Sequence, residues 1–103
     1  MSDAVHYQVV IAGGGLVGSS AALALARRGV RVGLFERRYC GAQASGVNYG
    51  GVRCQGRPAE QMPLAMRARR VWDRLPELIG IDGELVVSGH LRLARRESDF
   101  AVL

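Results

Sequence analysis

The chain has 103 residues, room for one small domain at most, and is 49% hydrophobic against 22% charged, the balance of an ordinary globular protein. The net charge is +5 and all 14 basic residues are arginine, spread along the chain in doublets such as Arg27-Arg28, Arg69-Arg70 and Arg95-Arg96. No stacking aromatics interleave them and no zinc-finger or basic-zipper spacing accompanies them, so they read as solvated helix faces and nucleic acid is not expected as a partner.

Cys40 and Cys54 form no CxxC pair and no ligand set with His6 or His90, so no metal is expected. They read as reduced thiols of a cytoplasmic protein. Residues 4–26 carry no formal charge apart from His6, but Gly13-Gly14-Gly15 and Gly18 interrupt the run and no positive flank precedes it. The stretch is therefore neither a secretion signal nor a membrane span. It reads as strand, turn and helix.

In chain order, residues 7–12 (YQVVIA) are β-branched and apolar and predict a strand buried on both faces of a parallel sheet. Residues 16–28, rich in Ala and Leu, predict a helix with Arg27 and Arg28 in its last turn and Gly29 as its left-handed stop. Residues 30–36 predict the second strand, closing a βαβ unit of about thirty residues. Residues 37–58 read as a glycine-rich loop. Leu64, Ala68, Val71, Trp72 and Leu75 fall at helical spacing, predicting an amphipathic helix opened near Pro63 and interrupted at Pro76, with Trp72 in its core. Residues 85–88 and 91–94 predict two short strands joined near Gly89-His90. Ser98 or Asp99 is the expected N-cap of an apolar helix over residues 100–103. One helical turn does not sustain itself, and two strands are too few for a doubly wound domain. The chain therefore reads as an incomplete α/β domain, the N-terminal piece of a longer protein that on its own would be poorly stable and hold a cofactor weakly.

The chemistry lies in Gly13-x-Gly15-x-x-Gly18, which follows a predicted strand and opens a predicted helix, the context that gives this pattern its meaning. Gly13 permits the tight turn, Gly15 lets backbone approach a pyrophosphate, and Gly18 lets helix and strand pack closely. The helix start offers free amides and partial positive charge to phosphates. Glu36, 21 positions beyond Gly15, stands where a carboxylate accepts the ribose hydroxyls of a dinucleotide and disfavours a 2′-phosphate. FAD and NAD are not separated by the glycines.

The run VVIAGGGLVGSSAALALARRGVRVGLFER resembles the N-terminal FAD signature of large flavoprotein families, and residues 41–53 (GAQASGVNYGGVR) are similar to the Gly/Ser-rich loop of the D-amino-acid oxidase-like family. The helix of Trp72 and Leu75 and the stretch Ser88-Gly89-His90-Leu91 resemble early substrate-domain elements of that family. The resemblance implies a Rossmann-type βαβ FAD-binding unit followed by a loop, an amphipathic helix and a short β-hairpin. Residues 1–58 then form the start of the FAD-binding domain and residues 59–103 begin the substrate region. It implies a cofactor site of Gly13, Gly15, Leu16, Val17 and Gly18 at the pyrophosphate, Glu36 and Arg37 at the adenosine ribose, and Ala44, Ser45, Gly50, Gly51 and Val52 towards the flavin. Arg53 is either a cation beside the flavin or a loop arginine in water. The implied reaction is oxidation of the C–N bond of a small amine or amino acid by hydride transfer to flavin. No catalytic acid, base or substrate clamp is identifiable among these residues. A flavin-dependent aromatic hydroxylase shares the first segment but not the loop at residues 45–53, and a truncated, non-catalytic product is the third reading.

Overall fold

The computed structural model describes residues 4–102. Its first unit, up to Gly50, is built on β1 (Val9–Ala12), α1 (Leu16–Ala26) and β2 (Val32–Phe35), followed by the short α2 (Ala44–Val47). The strands are parallel with Val9 opposite Val32 and Ala12 opposite Phe35, and the Gly13 amide extends the ladder to the Phe35 carbonyl at 2.8 Å. Parallel neighbours need a crossover, and α1 supplies it.

Helix α1 covers one face of this two-stranded sheet. Val9 and Ile11 are half-buried, whereas Val10 on the other face is 63% exposed. The expectation of a first strand buried on both faces is thus corrected: among the described residues a single helix packs on the sheet, and only one side of the pleat is covered. On the opposite face the Tyr7 and Phe35 rings meet edge to face at 5.9 Å and shield Gly33, where a Cβ would come within 2.9 Å of both.

The element ends differ from the sequence expectation. Both strands are shorter than expected, and α1 stops at Ala26 with Arg27 as its C-cap. The charge of Arg28 still serves the helix end, because its guanidinium donates to the Ala24 carbonyl at 2.8 Å. Gly29 adopts φ +79°, the left-handed stop its position calls for.

The second unit, from Gly51 onward, holds α3 (Met62–Asp73) and α4 (Leu75–Ile79). Each prolines its own start: Pro63 and Pro76 lie in the first turn of α3 and α4, where a missing amide costs nothing. The half-buried positions of α3 are Met62, Ala65, Arg69 and Trp72, so the inward face differs from the expected Leu64, Ala68 and Val71, which are exposed. Trp72 turns its stripe inward and the aliphatic stem of Arg69 serves as part of it. The expected strands 85–88 and 91–94 are not formed, and the only ladder among the described residues is that of β1 and β2. A lone ribbon is marginal in water, and Val86 and Leu91 stand 80% and 78% exposed with nothing to bury them. Near the end a 3₁₀ turn spans Glu97–Val102 in place of a helix capped at Ser98 or Asp99. Asp99 sits inside it, its carboxylate accepting the amides of Arg95 and Arg96 at 3.0 Å. Leu103 of the expected helix lies outside the described residues.

Candidate dinucleotide site

The chain leaves β1 and turns at Gly13, whose φ of +107° lies where a side chain is strained. Gly14 is buried; a Cβ there would lie 2.7 Å from Cys40 Sγ and 3.1 Å from Glu36 Cβ. Gly15 is the N-cap of α1, with extended backbone and no side chain to occupy the helix mouth. A Cβ on Gly18 would come to 1.9 Å from the Gly13 carbonyl oxygen, so the first turn of α1 rests directly on the backbone of the glycine turn.

Two amides of that turn are already engaged, Gly13 with the Phe35 carbonyl and Gly14 with the Glu36 carboxylate. The Ser19 amide bonds back to the Gly15 carbonyl at 2.9 Å, and the amides ahead of it lie before the first intrahelical bond. No acidic residue stands in the first turn of α1, so its partial positive charge is not cancelled. The Leu16 amide donates to the Ser45 hydroxyl at 2.8 Å. Val17 is 84% exposed and Leu16 60%, so of the side chains around the mouth it is the Ser45 hydroxyl that reaches it.

Glu36 closes the other side. Its Oε2 accepts the Gly14 amide and its Oε1 the Arg38 amide, both at 2.9 Å. The Gly14 bond first, then the Arg38 bond, with lesser help from the Arg37 amide and charge, hold this carboxylate below its ordinary titration range. Each carboxylate oxygen keeps a further lone pair for a hydroxyl donor. Anion-seeking amides thus lie next to an ionised acceptor, a donor and acceptor set that fits a diphosphate joined to a ribose.

The remaining expected site residues fall as follows. Arg37 is exposed beside Glu36, and Ala44 and Ser45 open α2 against the glycine turn. Gly50 adopts φ +68° and its amide donates to Asn48 Oδ1 at 2.7 Å. Gly51 and Val52 open the second unit. Arg53 is exposed and its guanidinium donates to the Gln55 carbonyl. Sequence reasoning passed over Gly14 and Cys40, which pack against each other at the turn; the uninterrupted glycine triplet was the available signal for the first, and none existed for the second.

A glycine turn between parallel strands, a helix start free of acidic residues and a carboxylate at the end of β2 define a dinucleotide-binding βαβ unit. The family model DAO, FAD dependent oxidoreductase, matches residues 8–103, and the chain belongs to that family, whose cofactor is FAD. The chain is 34% identical over 101 residues to a glycine oxidase of Geobacillus kaustophilus (strain HTA426), covering 91% of this chain and 27% of that protein. It is 32% identical over 102 residues to a glycine oxidase of Bacillus subtilis (strain 168), with the same coverage of 91% and 27%. A 42-residue stretch is 60% identical to the tRNA 5-methylaminomethyl-2-thiouridine biosynthesis bifunctional protein MnmC of Chromohalobacter salexigens, covering 41% of this chain and 6% of that protein. The chain thus spans about a quarter of the length of the glycine oxidases it matches. No solved structure matches it significantly.

Proposed function

We propose that the protein carrying this chain oxidises the C–N bond of a small amine or amino acid, with the glycine turn and Glu36 holding the adenosine diphosphate half of FAD. Bound FAD supplies the hydride acceptor. The observation that carries this reading is the 2.9 Å bond from the Gly14 amide to Glu36, which joins the glycine turn to the carboxylate after β2 in a chain of an FAD-dependent family. The role of the chain's own residues is binding. Gly13, Gly15, Leu16, Val17 and Gly18 present backbone to the diphosphate, Glu36 and Arg37 take the ribose, and Ala44, Ser45, Gly50, Gly51 and Val52 continue towards the flavin.

The amine substrate is supported by the likeness to two glycine oxidases. Among the described residues no helix is long and apolar enough to cross a membrane, and Cys40 and Cys54 are free thiols, which supports a cytoplasmic setting. The test is flavin bleaching: the full-length gene product, yellow with FAD, is mixed anaerobically with glycine, N-methylglycine and D-alanine. Loss of the oxidised flavin band with at least one is expected. An unbleached flavin with every amine and amino acid of a wider panel overturns the reaction.

A further inference from the structure

We infer that Gly46 is a positioning residue for Ser45, acting through a glycine-on-glycine contact that repeats the one inside the nucleotide turn. The inference rests on the FAD reading above, in which Ser45 lies along the cofactor. Two glycines of the first unit have positive φ and a second glycine five positions on: Gly13 at +107° with Gly18, and Gly41 at +80° with Gly46. A Cβ on Gly18 would meet the Gly13 carbonyl oxygen at 1.9 Å, and a Cβ on Gly46 would meet the Gly41 carbonyl oxygen at 2.1 Å. In both places a left-handed glycine turns the chain into a helix, and a later glycine of that helix lies flat on the turn's carbonyl.

Neither length nor capping explains why α2 stands where it does. It has four residues, too few to sustain a helix, and Gln43 gives it no side-chain cap. Its position comes from contacts. The Gly41 amide donates to the Gly14 carbonyl at 3.0 Å, docking the second turn on the first. The Asn48 side-chain amide donates to the Ser45 carbonyl, and Gly46 closes on Gly41. Ser45, held between these contacts, accepts the Leu16 amide at 2.8 Å, 29 residues away in sequence.

A methyl group on Gly46 collides with backbone, which no rotamer change relieves. Gly41 and Gly46 must then part by about 1 Å, and a comparable shift at Ser45 stretches its bond to Leu16 past the limit at which a hydrogen bond survives. Ser45 and Gly46 are therefore coupled: the glycine sets where the hydroxyl sits.

The experiment uses the full-length protein as wild type, S45A, G46A and the double variant. It reads the FAD dissociation constant by flavin fluorescence and hydrogen exchange at the Leu16 amide. G46A is expected to weaken FAD by up to about tenfold, the loss expected when one neutral hydrogen bond is misplaced. It is also expected to raise Leu16 exchange to the level of S45A, while the ladder amides of Ile11 and Phe35 stay protected. The double variant is expected to bind no more weakly than the worse single one, since both remove the same interaction. Unchanged FAD binding or unchanged Leu16 exchange in G46A overturns the inference, as do multiplying effects in the double variant. Loss of Ile11 and Phe35 protection in G46A overturns it too, because the glycine then supports the whole unit. A wild type that binds no FAD defeats the flavin reading itself, a separate outcome.

Discussion

Glu36 and Gly14 are joined by a 2.9 Å bond from the glycine amide to Oε2, across 22 positions of sequence, while Oε1 of the same carboxylate takes the Arg38 amide at 2.9 Å. The side chain at the end of β2 is thereby fixed over the turn that leaves β1. It needs no ligand to find its place, and an acceptor held in place before binding loses little freedom when a ribose arrives.

Those bonds make a pH dependence. The folded-state pKa of Glu36 lies below its ordinary value, so its contribution to stability is present above the ordinary carboxylate range and is lost as pH falls through the folded value. Glu36→Gln keeps the shape and removes the charge. The stability difference between wild type and E36Q, read from denaturant midpoints, is expected to be constant at neutral pH and to shrink below about pH 4.3. A difference that grows towards acid contradicts this.

Gly18→Ala sets two effects against each other. Alanine in a helix interior is favoured over glycine by about 1 kcal/mol. Against this, the new Cβ would lie 1.9 Å from the Gly13 carbonyl oxygen, a clash between backbone atoms that no side chain can relieve. Overpacking of this kind costs about 1–3 kcal/mol, so the clash wins. The full-length G18A protein is expected to melt below wild type and to bind FAD at least about tenfold more weakly. A gain in melting temperature would show that the turn has room.

What was legible in the sequence, and what was not, follows from the range of the interactions. The Gly13-Gly15-Gly18 spacing, the Ala- and Leu-rich helix and the β-branched strands are local signals, and the βαβ unit they describe is present with parallel register. The strands proposed at residues 85–88 and 91–94 read the β-branched pair Val86-Val87 correctly as strand-forming, yet a strand needs a partner, and pairing is not written in the segment itself. The inward face of α3 was misplaced because Arg69, polar by rule, is half-buried through its stem while Leu64 is 70% exposed. The contact of Gly46 with the Gly41 carbonyl was read only as loop, because its cause is a close backbone approach and many glycines of that stretch share the same composition.

The exposed ion pairs of the second unit are expected to matter little. Arg69 pairs with Asp73 and Arg74 with Glu77, on sites where the acidic side chains are 53% and 63% exposed. Asp73→Ala is expected to change stability by less than about 1 kcal/mol, and less again in high salt. A larger loss in a denaturant titration would mean that the pair is shielded by something further.

Produced as a separate 103-residue polypeptide, the chain is expected to melt broadly, without a sharp calorimetric transition. No hydrophobic side chain among the described residues reaches the fully buried class, so there is little core to make unfolding cooperative. A sharp two-state melt would contradict this.

The most direct test of the account titrates FAD and NAD into the full-length protein stripped of cofactor, as wild type and as E36A, following flavin fluorescence and calorimetric heat. A saturable one-to-one FAD complex is expected, with no comparable NAD complex and FAD affinity lowered by about tenfold or more in E36A, the worth of a hydrogen bond to a charged acceptor. FAD bound equally well without the Glu36 carboxylate, or not bound at all by the wild type, would contradict it.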